Sequence, residues 1–562
     1  KLIMNKDIKE NIILEEYENE FSFKKNKSNL KIEFNRIAFL FFIFFVISII
    51  YSIQLLHLGS LKSNIVNTKT LISEKNHRAD IIDRNGNYLV KSVRSIDIGI
   101  NPVEVIDKKK LLINLKLIFP NKDYSKIKKK LNKKQFFKFE KQLSQENYQK
   151  IMSLGDKSIR PEENLTRLYP QKKLFSHIIG QIDDGNNGIS GLEKSFDQEL
   201  KDSVEPLQLT VDTEIQFLIR EELIKYHSIF QSKGSAAILM DSTNGEILSL
   251  VSYPDFDLNK REKITDINYI NRATKGVYEL GSVFKAFTIA AGFNEGLIEP
   301  ETKFLNLKKE LSCAGFPIRE YDKNLPTDLT VEEILIKSGN IGSVKIGQKI
   351  GIDKFKNFLY DTGVLGKINF DIEEVGQPQP VTWGKCKLAT ASFGHGINTN
   401  LLQLTKGYAI ISNGGFDVKP TLIKKETDVY KKTIITKATS QKINSILRKI
   451  VVTGTAKLAN VDGYEIGGKT GTANKTINGV YTNKKINTFA SVFPISKPQF
   501  VFVVLIDEPQ INNSYIYEYR DGSGFKLKGA PRNTAGWTSV EVAGKIIEKI
   551  GPILATKYIE IN

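Results

Sequence analysis

From Ile37 to Ile53 the chain carries no charged residue, and the apolar run continues to Leu58 with only Gln54 and His57 in its later part. A helix rises about 1.5 Å per residue, so some 20 apolar residues cross the roughly 30 Å hydrocarbon core of a bilayer. A run of this length is long enough to span the membrane, and a spanning segment divides the molecule between two compartments. A cleaved signal sequence is the rival reading, but the run exceeds a typical apolar h-region and no A-x-A-like site follows it. A retained anchor over residues 35–58 is therefore expected. Lys24, Lys25, Lys27, Lys31 and Arg36 crowd its N-terminal flank, whereas the first stretch beyond it carries only Lys62 before Lys69. The positive-inside rule then keeps the N-terminus in the cytoplasm and exports everything after residue 59.

In the exported part, three short pieces fit together chemically: Ser282-Val283-Phe284-Lys285, Ser338-Gly339-Asn340 and Lys469-Thr470-Gly471. A serine hydroxyl is a poor nucleophile at neutral pH and needs an adjacent base, which a lysine supplies when burial and neighbouring cations lower its pKa. On a helix, positions i and i+3 share one face, so Lys285 is expected to lie against the Ser282 hydroxyl. Gly281 allows a tight turn into that helix, and Ala286 to Phe293 has the apolar density of a buried one. A helix start also presents backbone N–H groups to a developing oxyanion. The third piece lies in a small-residue stretch, Gly463 to Ala473, that reads as a strand along which a substrate backbone can lie. Thr470 and Thr472 can donate to a substrate carboxylate there, with Lys469 adding positive charge.

Each piece has a bland counterpart. S-x-x-K also occurs at Ser22, Ser28, Ser125 and Ser523, in Lys-rich or loop-like stretches without the glycine before or the apolar helix behind. Lys337-Ser338-Gly339 spells K-S-G, but Asn340 and the helical pattern of Ile334, Leu335 and Ile341 place it as an S-x-N loop between helices. An isolated K-T-G is more often a surface turn. The three in this order and context make one catalytic set.

With these motifs the chain resembles the class B penicillin-binding proteins, bacterial cell-wall D,D-transpeptidases. The resemblance runs from Arg78 to about Pro552. It includes Arg78-Ala79-Asp80-Ile81-Ile82-Asp83-Arg84-Asn85-Gly86, with Ala79 where glycine is usual, Arg167-Leu168-Tyr169-Pro170, Gly188-Ile189-Ser190-Gly191-Leu192-Glu193, and Leu209 to Gln216. The resemblance implies that Ser282 is the acylated nucleophile and Lys285 its base. Ser338 then relays a proton to the leaving D-alanine, and Asn340 holds Lys285 and the substrate amide. Lys469 tunes Ser338, while Thr470, Gly471 and Thr472 receive the substrate carboxylate. The oxyanion hole is implied to be the backbone N–H groups of Ser282 and Thr472. A stem peptide ending in D-Ala-D-Ala, or a β-lactam, acylates Ser282, and an acceptor amine resolves the ester. No cofactor or metal is expected.

The implied fold is a mixed α/β multidomain chain. A cytoplasmic tail over 1–34 and the anchor precede an elongated α+β pedestal over 59–206, similar to a penicillin-binding protein dimerisation domain. A penicilloyl serine transferase domain follows over 207–553, an antiparallel sheet with helices on both faces, and 554–562 is a tail. Within the pedestal, Ile96 to Ile100 reads as a strand and Lys122 to Lys150 as Lys-rich helix; Gly234 to Asp241 and Phe500 to Ile506 read as buried strands, and Val540 to Ile550 as a late helix. A net charge of +18 raises nucleic-acid binding. The topology argues against it, and lysine, asparagine and isoleucine are abundant along the whole chain. Cys313 and Cys386 can pair in an oxidising periplasm or remain two thiols; their spacing decides neither.

About 150 residues between anchor and catalytic domain leave no room for a glycan-polymerising domain, so a partner must supply strands. By resemblance this partner is a membrane glycosyltransferase of the FtsW type, working beside other division proteins in the bacterial inner membrane. Phe393-Gly394-His395-Gly396-Ile397 and Thr534-Ala535-Gly536-Trp537 resemble septal more than lateral-wall enzymes. An elongation-type transpeptidase, a β-lactamase or β-lactam sensor, a D,D-carboxypeptidase and a non-enzymatic scaffold are the alternatives.

Overall fold

The computed structural model describes residues 27–60, 78–260, 267–425, 432–477 and 479–558. Most of the tail expected over residues 1–34, together with Lys24, Lys25, Lys62 and Lys69, lies outside the described residues, as do residues 559–562 of the C-terminal tail. The apolar run forms one helix, α1 (Lys27–Ser60). Its segment Arg36–Leu56 has a mean hydropathy of 2.5 and no buried residue. A helix of this length and composition is long and apolar enough to cross a bilayer. Residues 1–75 and 76–562 form separate units.

The second unit begins with β1 (Ile81–Ile82) and the 13-residue β2 (Tyr88–Ile100). Helices α2 (Lys108–Ile118) and α3 (Tyr124–Leu131) follow, then β3 (Phe137–Leu143), α4 (Gln145–Met152) and β4 (Ile159–Leu168). Asp107, Asp123 and Ser144 accept backbone N–H groups at the three helix starts. The helices lay Leu111, Leu115, Ile127, Leu131 and Ile151 on Ile98, Ile100 and Phe139. The Lys-rich stretch 122–150 is thus not continuous helix, because Phe137 and Phe139 alternate with Lys138 and Glu140. That period of two suits a strand, which pairs with β2.

At its other end β2 pairs with β1, and β1 runs parallel to β5 (Leu207–Gln208). Here the separate pedestal motifs meet. Arg78 Nε lies 2.5 Å and Arg167 Nε 2.9 Å from the buried Glu193 carboxylate, and Arg78 Nη1 lies 2.7 Å from Asp197. Ala79 is buried and outside the left-handed region, so the methyl in place of glycine is accommodated. The Asp83 carboxylate accepts the Thr213 hydroxyl, and Asp212 caps α5 (Thr213–Phe230). The pedestal motif thereby docks on the start of the catalytic domain.

That domain is built on a five-stranded antiparallel sheet. Its members are β6 (Gly234–Asp241), β7 (Ile247–Tyr253) and three late strands, β8 (Gly467–Ile477), β9 (Val480–Phe493) and β10 (Phe500–Asp507), in the order β8-β9-β10-β6-β7. The two runs expected to be buried strands are direct neighbours, Gly234 opposite Asp507 and Asp241 opposite Phe500. Helix α5 and the C-terminal helix Ser539–Lys557 cover one face, and Leu401–Ser412 packs on the other. The strand β8 stands at one end of the sheet order, and the turn carrying the first catalytic motif packs against it.

Candidate active site

Ser282 lies in a 3₁₀ turn, Gly281–Phe284, that leads into the buried helix α6 (Lys285–Asn294). The sequence places Ser282 at a helix start; the structure has it in a tighter turn that packs on β8, one step before the helix. Gly281 has φ +62°, a conformation that favours glycine, and a Cβ on it would fall 2.9 Å from the Thr472 carbonyl oxygen. Gly471 faces the same junction from the strand. A Cβ there would fall 2.2 Å from the Leu280 carbonyl oxygen, so the glycine of K-T-G permits close approach rather than offering a side chain. The Tyr408 hydroxyl donates to the Val283 carbonyl at 2.8 Å and holds the turn from behind.

Ser338 occupies the turn between α7 (Val331–Ile336) and α8 (Asn340–Ile350), with φ +60°. A serine in this region carries strain of about 1–3 kcal/mol, which the surrounding structure must hold. Lys285 Nζ donates to the Ser338 carbonyl at 2.5 Å, its hydroxyl at 3.2 Å and Asn340 Oδ1 at 2.7 Å. Lys469 Nζ reaches the same hydroxyl at 3.0 Å and the Thr470 carbonyl at 2.9 Å. Two buried lysines thus converge on one serine hydroxyl. The expected contact between Lys285 and the Ser282 hydroxyl is not made among the described residues; the amine is occupied by Ser338 and Asn340. Such contacts are often long in unliganded enzymes and tighten when substrate arrives.

Both lysines are fully buried. Burial pushes Lys285 down to about 7, against the nearby Glu320 carboxylate, which raises it. Burial pushes Lys469 well below the ordinary lysine range, and the Lys285 charge pushes the same way. An amine near neutrality can take a proton from a hydroxyl and return it. Thr470 shares a 2.8 Å hydrogen bond with Thr455, and Thr472 Oγ1 accepts from the Ala535 N–H at 2.9 Å. These face a groove of about 1010 Å³ lined by Ser282, Ser338, Asn340, Thr470, Thr472 and Trp537. The polar side chains of Ser282, Ser338, Asn340, Thr470 and Thr472 therefore gather on one open cleft.

Several residues of this cleft were not singled out as site residues in the sequence. Across the groove the His395 ring stacks on Tyr481 at 4.8 Å, and the Tyr481 hydroxyl donates to Glu279 at 3.0 Å. In the sequence, Phe393 to Ile397 carries only its resemblance to septal enzymes. Glu320 had no sequence signal at all. Its carboxylate accepts the backbone N–H groups of Asn340 and Ile341. Cys313 and Cys386 form a disulfide, which resolves the two alternatives their spacing left open.

The chain is similar to known proteins over most of its length. The penicillin binding protein transpeptidase domain family matches residues 235–523, and the penicillin-binding protein dimerisation domain family matches residues 73–223. The chain is 29% identical over 499 residues to a probable peptidoglycan D,D-transpeptidase FtsI of Caulobacter vibrioides, covering 85% of this chain and 82% of the relative. It is 28% identical over 480 residues to stage V sporulation protein D of Bacillus subtilis, covering 77% of this chain and 74% of that one. A peptidoglycan synthetase structure from Bifidobacterium adolescentis superposes with a TM-score of 0.64 at 20% identity, covering 86% of this chain and 96% of the other.

Proposed function

This chain belongs to the class B penicillin-binding proteins and is a peptidoglycan D,D-transpeptidase of the FtsI kind, and we propose that Ser282 is the nucleophile through which it cross-links stem peptides. The observation that carries the assignment is the convergence of Lys285 and Lys469 on the Ser338 hydroxyl, beside a half-buried Ser282 that opens on the groove. Lys285 takes the Ser282 proton as the hydroxyl attacks the penultimate D-Ala carbonyl. The backbone N–H groups of Ser282 and Thr472 stabilise the oxyanion. Ser338, held between the two amines, passes a proton to the departing D-alanine. Asn340 keeps Lys285 and the substrate amide in place, and the hydroxyls of Thr470 and Thr472 with Lys469 bind the terminal carboxylate. The amine of a neighbouring strand then attacks the ester and frees Ser282. A β-lactam enters the same path and stalls at the acyl-enzyme.

Localisation follows from the anchor. The N-terminus is cytoplasmic, and residues after the span, including the pedestal over 59–206 and the catalytic domain over 207–553, lie on the outer side of the inner membrane. The Cys313–Cys386 disulfide supports this side, since such bonds persist in oxidising compartments. The glycan strands come from a membrane glycosyltransferase of the FtsW type, contacted through α1 and the pedestal, and the place of work is the septum.

A fluorescent penicillin should label the full-length protein in a long-lived adduct, and Ser282→Ala should abolish the label; equal labelling of a folded Ser282→Ala variant would overturn the assignment. A fluorescent fusion should gather at midcell and depletion should give filaments, whereas side-wall localisation with rounded cells would place the enzyme in elongation.

A further inference from the structure

The turn that presents Ser338 and Asn340 has no side-chain cap of its own. Gly339 stands at the N-cap position of α8, where a serine, threonine or aspartate would ordinarily accept the first free N–H groups. Those groups are instead met from outside. Glu320 Oε2 accepts from the Asn340 N–H at 2.7 Å and Oε1 from the Ile341 N–H at 2.8 Å, one carboxylate bridging two consecutive donors at a helix start. Its chain neighbour completes the grip. The Arg319 carbonyl accepts from Asn340 Nδ2 at 2.8 Å, which turns the amide oxygen toward Lys285, where it receives the 2.7 Å hydrogen bond.

We propose that Glu320 is a positioning residue of the transpeptidase, holding the Ser338-Gly339-Asn340 turn in the strained shape that lets Asn340 orient Lys285. The proposal rests on the reading of Ser282 and Lys285 as nucleophile and base. It explains two features that the motif alone does not. Ser338 keeps its left-handed backbone because the residues on either side of the turn are tied, α7 behind it and Glu320 ahead of it. The middle position is a glycine because a side chain there would meet Leu325 at 3.3 Å and point toward the Glu320 carboxylate at 3.8 Å, so an aspartate would set two negative charges side by side.

Glu320 is delivered by a short hairpin, Glu310–Cys313 paired with Phe316–Arg319, whose residues are mostly exposed. Its far end is stapled by the Cys313–Cys386 disulfide to the helix Lys385–Ala391. A hairpin with Ile318 as its single buried residue has little core to fix it, and the staple supplies that hold. The charged groups facing Lys285 are Glu320, whose carboxylate favours the protonated amine, and Lys469, whose own pKa the Lys285 charge lowers.

The test is the rate of Ser282 acylation by a fluorescent penicillin, measured on the full-length protein from pH 5.5 to 9 for the wild type, Glu320→Gln and Glu320→Ala. Glu320→Ala should lower the plateau rate about tenfold or more, since small displacements of catalytic groups cost that much. Glu320→Gln keeps one acceptor and so more of the plateau, yet its acidic limb should move to lower pH, because the charge that favours protonated Lys285 is gone. Helix capping alone would lower the plateau and leave the limb in place. Plateaus equal to wild type, or limbs in both variants that coincide with it, overturn the proposal. Labelling of Ser282→Ala as strong as wild type would instead sink the site assignment on which it rests.

Discussion

In the pedestal, Arg78 and Arg167 are buried against the carboxylate of Glu193, with Asp197 beside them, whereas in the catalytic domain Lys285 and Lys469 are buried against a hydroxyl, carbonyls and an amide. Both regions take cations out of water, which costs several kcal/mol per ion unless a partner compensates. The pedestal compensates with opposite charge and gains a fixed junction between segments that lie over 100 residues apart. The catalytic cleft places no carboxylate in contact with either lysine among the described residues, and burial therefore drives the amines toward their neutral forms. The paired site fixes structure, and the unpaired one is where the proposed proton transfer falls.

The sharpest way to break this contrast is to remove each charge in turn. Lys285→Ala should lower acylation by roughly a thousandfold or more, the scale of losing a unit of a coupled catalytic set, while leaving the fold intact. Lys469→Ala should lower it by about a hundredfold and leave a residual rate, because it supports substrate charge rather than taking the Ser282 proton. Acylation rates in the opposite order, with both variants folded, would reverse the two roles. The wild-type rate should also fall as pH drops below about 7, since Lys285 is neutral above that value and only the neutral amine accepts a proton. A rate flat from pH 8 to 6 would remove Lys285 from the role of base.

The pedestal predicts the reverse pattern. Glu193→Ala leaves the buried Arg167 without a carboxylate and Arg78 with Asp197 alone, and should destabilise the protein by about 3–5 kcal/mol, read from denaturant midpoints. Any acylation that survives below the unfolding transition should keep the wild-type pH limb. A loss under about 1 kcal/mol would mean that water replaces the carboxylate there, and the cluster would no longer count as the tie between the pedestal motifs.

The contrast also shows where the sequence was legible. The catalytic pieces stand out because chemistry demands particular residue types at short fixed spacings, and α1 stands out because a bilayer demands length. The strands Gly234–Asp241 and Phe500–Asp507 are visible as dense apolar runs, though nothing local says that they pair. What stayed hidden depends on contacts made at a distance. Glu320 acts through backbone N–H groups about 20 residues on, and a backbone donor leaves no mark in the sequence. Cys313 and Cys386 are 73 residues apart, a separation compatible with pairing or with none until the hairpin and helix are placed. The strand Phe137–Leu143 was hard to see because it lies in a Lys-rich stretch between two short helices and its period of two runs over only a few residues. Ser282 in a 3₁₀ turn was hidden for a similar reason: the turn packs closely on Gly471 of β8, a contact made nearly 190 residues later in the chain.

The strand Tyr88–Ile100 serves two cores, the small one around Leu115 and Phe139 and the junction around Arg78. At about 3.3 Å per residue it is a beam of roughly 43 Å, and a tilt of about 10° at its base would swing its tip by about 7 Å. Ser92 sits near the fulcrum. Its N–H is held by Asp80 at 2.8 Å, and its hydroxyl donates to the Arg78 carbonyl at 2.6 Å while receiving Arg167 at 2.9 Å. A load applied to the distal helices thus arrives, geared down in distance and up in force, at the few hydrogen bonds beside the Glu193 cluster.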